Sequence, residues 1–157
     1  MIPKIKKILY ATDLSSGADH ALGYALSIAM SGDARISIIN VYEKMSHNKN
    51  IEMRSEDFAS AKQKLTARIK KNLLSYTKAE VGDECAFTKY VENIYVTAGV
   101  PVDTIIEQAK DGDYDLIIMG THGHGFLYSA LIGSTAKRMI AQSPIPVLVA
   151  RIPDKLN

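Results

Sequence analysis

Five short apolar runs, at residues 5–11, 36–42, 93–98, 116–120 and 146–150, constrain the fold of this 157-residue chain more than any other feature. All are rich in Ile, Val or Leu, and most are nearly continuous rather than alternating. That is the pattern of strands buried on both faces of a parallel sheet. Helical periods lie between them. Ser16-x-x-Asp19 reads as a capping-box-like start, and Ala18, Ala21, Leu22, Ala25, Leu26 and Ala29 follow as one stripe that stops near Gly32-Asp33. Phe58, Ala61, Leu65, Ile69, Leu73 and Tyr76 mark a second and longest helix. Pro101 suits the first turn of a third, with Ile105, Ile106 and Ala109 on its apolar face and Asp111-Gly112-Asp113 at its end. A fourth runs over residues 134–142, with Ala136, Met139 and Ile140 inward. The polar residues 42–50 read as a loop and the acidic residues 78–84 as a connector. Strands alternating with helices predict an α/β fold: a single doubly wound, mostly parallel five-stranded sheet with helices on both faces, Rossmann-like, in one domain over residues 1–157.

Charge and cysteine use narrow the setting. Lys and Arg total 19 against 17 Asp and Glu, a net charge of +2 that argues against a protein coating nucleic acid or an anionic membrane. The basic face of the second helix, with Lys62, Lys64, Arg68, Lys70 and Lys71, sits in a stretch whose charges nearly cancel, and reads as a solvated face. The one cysteine, Cys85, cannot form an internal disulfide, which fits a reducing cytoplasm; it reads as a bystander rather than a nucleophile. The basic N-terminus is followed by too short an apolar stretch for a signal peptide, and no window reaches the ~18 apolar residues of a membrane span.

In such sheets ligands bind outside the C-terminal strand ends. The richest loop there follows the fourth strand: Gly120-Thr121-His122-Gly123-His124-Gly125-Phe126, then Gly133-Ser134-Thr135 where the fourth helix begins. Glycine lets backbone N–H groups converge on an anion, and a helix start offers free N–H groups and a positive dipole end. Two walls of a phosphate cradle result. The loop is not a Walker P-loop, since no Lys separates Gly133 from Ser134. A dinucleotide fingerprint belongs after the first strand, where the chain reads Ala11-Thr12-Asp13-Leu14-Ser15 instead.

The run Gly120-x2-Gly123-x9-Gly133-Ser134 resembles the nucleotide-binding signature of the universal stress protein family. Lys7-Ile8-Leu9-Tyr10-Ala11-Thr12-Asp13, Asp115-Leu116-Ile117-Ile118-Met119-Gly120 and Ser143-Pro144-Ile145-Pro146-Val147-Leu148-Val149 extend the resemblance over essentially the whole chain. It implies a five-stranded α/β domain, commonly homodimeric, that binds ATP or another adenine nucleotide. It also implies Ala11, Thr12 and Asp13 near ribose and phosphates, Val41 on adenine through its backbone, and Gly120, Gly123, Gly133, Ser134 and Thr135 on ribose and phosphates. Members often carry Arg or Lys where this chain has His124. Dimers of the family often pair through the final strand, which agrees with an edge position for the run from Pro146 to Ala150, where a proline's lost donor is cheap.

Single residues keep two readings each. Asp13 is either a Mg²⁺ or ribose ligand or a helix-start acid stabilised by the dipole. His122 and His124 have a chelating spacing but no third ligand nearby in sequence, so phosphate contact is the better role, or plain exposure for His124. Thr121 presents its hydroxyl to phosphate or caps the turn. His20 and His47 read as surface groups, and Lys137 and Arg138 as helix-face charges. Three functions compete: an adenine-nucleotide-binding stress or signalling module with slow or no hydrolysis, working through an unidentified protein partner; an ATPase or nucleotidyl-transfer enzyme with a metal at Asp13; and a nucleotide-free interaction protein. The cradle lacks a Walker Lys, an evident arginine finger and a base aimed at water, which favours the first.

Overall fold

The computed structural model describes residues 1–15, 18–43, 55–121 and 132–151. In chain order the elements are β1 (Lys7–Ala11), α1 (Ala18–Gly32), β2 (Arg35–Tyr42), α2 (Ser55–Val81), α3 (Cys85–Tyr90), β3 (Val91–Ala98), α4 (Pro101–Asp111), β4 (Leu116–Gly120), α5 (Ser134–Gln142) and β5 (Val147–Ala150). The five strands form one sheet in the order β3-β2-β1-β4-β5, and every neighbouring pair is parallel. The expected mostly parallel sheet is therefore wholly parallel among the described residues, and each strand reaches the next through helix, as parallel neighbours require.

Both faces of the sheet are covered, which is why its strands read as continuous apolar runs. Ile8 and Tyr10 of β1, Ile36 and Ile38 of β2, and Leu116 and Ile118 of β4 pack with α1, α2 and α3. Their neighbours Leu9, Ala11, Ile39, Ile117 and Met119 pack with α4 and α5 on the opposite face. The stripe predicted for α1 is buried in full, from Ala18 to Ala29.

Three expectations need correction. Residues 78–84 are not simply a connector: α2 continues to Val81 because Lys78, Ala79 and Glu80 are good helix formers, and Gly82 at φ 72° ends it, its N–H donating to Lys78 O. The short helix α3 follows at once, burying Ala86, Phe87 and Tyr90, and sequence periodicity over so few residues did not reveal it. Ala61 is exposed rather than inward. The 27 residues of α2 span about 40 Å, whereas the eight of β2 span about 26 Å, so the first half of the helix outruns the sheet. Ile140 is likewise 55% exposed, since α5 covers the edge strand β5 and fills its contact with Ala136 and Met139. The expected cap at Ser16, His47 and the loop from residue 44 onward, and the side chain of Phe58 lie outside the described residues.

Candidate functional site

The chain leaves β1 towards β2 on one side of the sheet and later returns to place β4 on the other side. Loops after β1 and β4 therefore diverge at the centre, and a crevice opens between them beyond the strand ends. A cleft of about 670 Å³ lies there, lined by Ala11, Thr12, Asp13, Ala18, Ile39, Val41, Glu43, Pro101, Ile105, Met119, Gly120, Thr121, Gly133, Ser134, Thr135 and Ala136. The structure thus brings together nine of the residues singled out from sequence: Ala11, Thr12, Asp13, Val41, Gly120, Thr121, Gly133, Ser134 and Thr135. His122, Gly123 and His124 lie outside the described residues.

The two ends of the cleft differ in chemistry. On the β2 and α4 side, Ile39, Val41, Pro101 and Ile105 make an apolar wall. At the other side, Gly133 is the N-cap of α5, with no side-chain cap bond and no acidic residue in the first turn of the helix. By contrast, α1 and α4 carry Asp19 and Asp103 in their first turns. The positive end of α5 is thus left without an acid of its own, and Ser134 and Thr135 add hydroxyls there. Gly133 N–H donates to Thr121 O at 2.7 Å and Thr121 N–H to Ala150 O at 3.1 Å, so the start of α5 is tied to the end of the sheet.

The backbone of β2 supplies a second polar feature. Its odd-numbered peptides face β1: Arg35 N–H donates to Lys6 O at 2.8 Å, and Thr12 N–H donates to Ile39 O at 3.0 Å. Tyr42 faces the other way, its carbonyl accepting from Gly99 N–H at 3.1 Å. The same alternation turns Val41 N–H and C=O into the cleft, past the end of β1, where no described strand lies opposite. Continuing the ladder would give Val41 N–H the carbonyl of Thr12. That carbonyl is instead taken by the buried Asn40, whose Nδ2 donates to it at 2.8 Å. The ladder ends there, and a donor and an acceptor are left on an apolar wall.

The turn after β1 is held by its own side chains. Leu14 N–H donates to Thr12 Oγ1 at 3.2 Å, and Ser15 N–H donates to Asp13 Oδ1 at 2.9 Å. Leu14 sits at φ 63°, a left-handed conformation that a leucine adopts at some cost. Beneath the turn, the fully buried Tyr10 hydroxyl donates to Ala18 O, and burial raises its pKa above the ordinary tyrosine value. His20, expected at the surface, is half-buried and packs edge-on against Tyr24. Lys137, Arg138 and Cys85 are exposed.

Sequence reasoning missed Asn40, Glu43 and the apolar wall of Ile39, Pro101, Ile105 and Met119 as parts of this site. Asn40 carried a signal, being the one amide inside the apolar run Ile38-Ile39-Asn40-Val41. The others read only as core or helix face, because nothing local says which core residues border an opening.

A model of the universal stress protein family matches residues 4–151 of the chain. The chain is 30% identical over 158 residues to universal stress protein MJ0577 of Methanocaldococcus jannaschii, a match covering 93% of this chain and 94% of that protein. It is 29% identical over 146 residues to a universal stress protein of Thermus aquaticus, covering 93% and 98%. Among solved structures, MJ0577 superposes with a TM-score of 0.72 at 27% identity, covering 98% of this chain and 100% of that one. A universal stress protein solved in complex with cAMP superposes with a TM-score of 0.66 at 21% identity, covering 96% and 100%.

Proposed function

The chain belongs to the universal stress protein family, and from that premise we propose that it is an adenine-nucleotide-binding stress or signalling module with slow or no hydrolysis. One observation carries the reading: a single cleft opposes an apolar wall with an unpaired peptide, at Val41, to a helix start with no acid of its own, at Gly133. The first suits the flat face and hydrogen-bonding edge of a base, with adenine N1 accepting from Val41 N–H and its amine donating to Val41 O. The second suits phosphate, through the N–H groups and dipole of α5 and the hydroxyls of Ser134 and Thr135. Thr12 and Asp13 stand between them, beside the ribose. Mg²⁺ would enter with the phosphates, with Asp13 as the protein's carboxylate.

The enzyme reading, with metal at Asp13, asks more of that residue. Its Oδ1 already holds the turn through Ser15 N–H, which favours a positioning role over a catalytic one. We also propose that the protein is a homodimer joined through β5, an edge strand, and that occupancy of the cleft biases a surface read by a protein partner.

Calorimetry with AMP, ADP, ATP and cAMP, each with and without Mg²⁺, tests the reading; cAMP is included because a fold neighbour was solved with it. Binding of at least one adenine nucleotide is expected. No heat and no binding at millimolar concentration by the folded protein would sink it. Turnover at or above ~1 s⁻¹ that Asp13→Ala abolishes would favour the enzyme instead.

A further inference from the structure

We propose that Glu43 reads the exocyclic amine of the bound purine and so sets the base preference of the cleft, an assignment that rests on the nucleotide reading above. Glu43 continues the period-two series Ile39, Val41, Glu43, and all three residues line the cleft. It also borders a second, open cavity of about 600 Å³ that it shares with Ala98, Gly99 and Val100 at the start of α4. Among the described residues its carboxylate has no hydrogen bond or ion pair, and the side chain is exposed. It is an acceptor at the proposed base end of the site, without a hydrogen-bond partner among the described residues.

The direction of β2 says what it would accept. Val41 N–H precedes Val41 C=O along the strand, and the strand runs on towards residue 43. An adenine with N1 on that N–H and its amine on that carbonyl points the amine towards Glu43. One amine hydrogen goes to Val41 O, and the second is left for the carboxylate. Guanine meets the same peptide with O6 on the N–H and N1–H on the carbonyl, which brings its 2-amine to the same place. Hypoxanthine pairs with the peptide as guanine does, but presents only C2–H to Glu43. The carboxylate, an acceptor without a donor, therefore separates purines that carry an amine from the one that lacks it. The competing role is electrostatic: a negative charge near the start of α4 would stabilise that helix and have no preference among bases.

The two roles separate in a titration of the full chain with ATP and with ITP, both with Mg²⁺, in wild type, Glu43→Ala and Glu43→Gln. Because Glu43 is exposed, neither substitution disturbs the core, and circular dichroism checks the fold. Wild type is expected to prefer ATP, and Glu43→Ala to narrow the ATP-to-ITP ratio by about tenfold, the effect of one hydrogen bond to a charged acceptor, with the loss falling on ATP. Glu43→Gln keeps an acceptor oxygen and retains part of the preference. A ratio that Glu43→Ala leaves unchanged overturns the assignment. Equal weakening of both nucleotides also overturns it, and places the carboxylate with α4. Failure of wild type to bind ATP and ITP, and AMP and IMP in their place, overturns the nucleotide reading itself, and is told apart from the other outcomes because no ratio then exists.

Discussion

At the scale of single residues, Asn40 does more for the cleft than its position inside a strand suggests. Its side-chain amide donates to Thr12 O where the β1–β2 ladder ends, beside the open Val41 peptide. Asn40→Leu removes the donor and leaves the Thr12 carbonyl either unpaired or free to take Val41 N–H. The expected results are a loss of about 1–3 kcal/mol in urea unfolding, the usual cost of a buried group left without its partner, and weaker nucleotide binding by calorimetry. A variant as stable as wild type with unchanged affinity would show that Asn40 does not shape the site. Gly133 is a different kind of residue. Its φ of −61° is open to any amino acid, so the backbone does not demand glycine there. On the nucleotide reading, the absence of a side chain would instead let a phosphate approach the start of α5. Gly133→Val should keep the fold and melting temperature but lower nucleotide affinity by about tenfold or more, since a branched side chain would fill the place of a phosphate that accepts from the helix start. Retained affinity would move the phosphates elsewhere.

At the scale of elements, the core holds two buried tyrosines whose ionisation opposes folding. Tyr10 lies under α1 and Tyr114 under α4, the latter within 5.1 Å of the Lys7 ammonium. Burial pushes Tyr114 up to about 12, and burial also raises Tyr10. A folded value above the ordinary one of about 10 means that the folded state holds its proton longer than the unfolded state does. The stabilisation is complete below about pH 10 and is lost as the pH rises through the folded value of about 12. Melting temperature should therefore fall from pH 9 to pH 11, and Tyr114→Phe should fall less steeply over the same interval. Parallel slopes for the two proteins would remove Tyr114 from the account.

At the scale of the whole molecule, the sheet ends in two edges, β3 and β5, and the proposed dimer uses the second. Ile117 N–H donates to Pro146 O and Thr121 N–H to Ala150 O, so the even-numbered peptides of β5 face β4. Those of Val147 and Val149 face outward, where a second copy would pair with them. Val149→Pro removes an outward donor and no inward ladder bond. It should shift the protein from dimer to monomer in sedimentation velocity with little change in far-ultraviolet circular dichroism. A dimer that survives at the same concentration would place the interface elsewhere.

How much of this was legible in the sequence depends on how far each feature reaches along the chain. The parallel sheet was legible, since strands covered on both faces must be apolar at consecutive positions, and Leu116 to Met119 show it within four residues. The start of α5 was legible too, because Gly133-Ser134-Thr135 carries its glycine and hydroxyls in one local run. The length of α2 beyond the sheet, the exposure of Ile140 and the helix α3 were not, because each depends on what lies beside an element. Sequence alone determined the strands, the place of the crevice and the glycine and hydroxyl side of the site. Only the tertiary structure decided that Asn40 meets Thr12 where the ladder ends, that the Val41 peptide is left open, and that Glu43 lines the cleft beside it. Those depend on which strand stops first beside its neighbour, and the register between β1 and β2 is set by contacts between residues 28 positions apart, which no local pattern records.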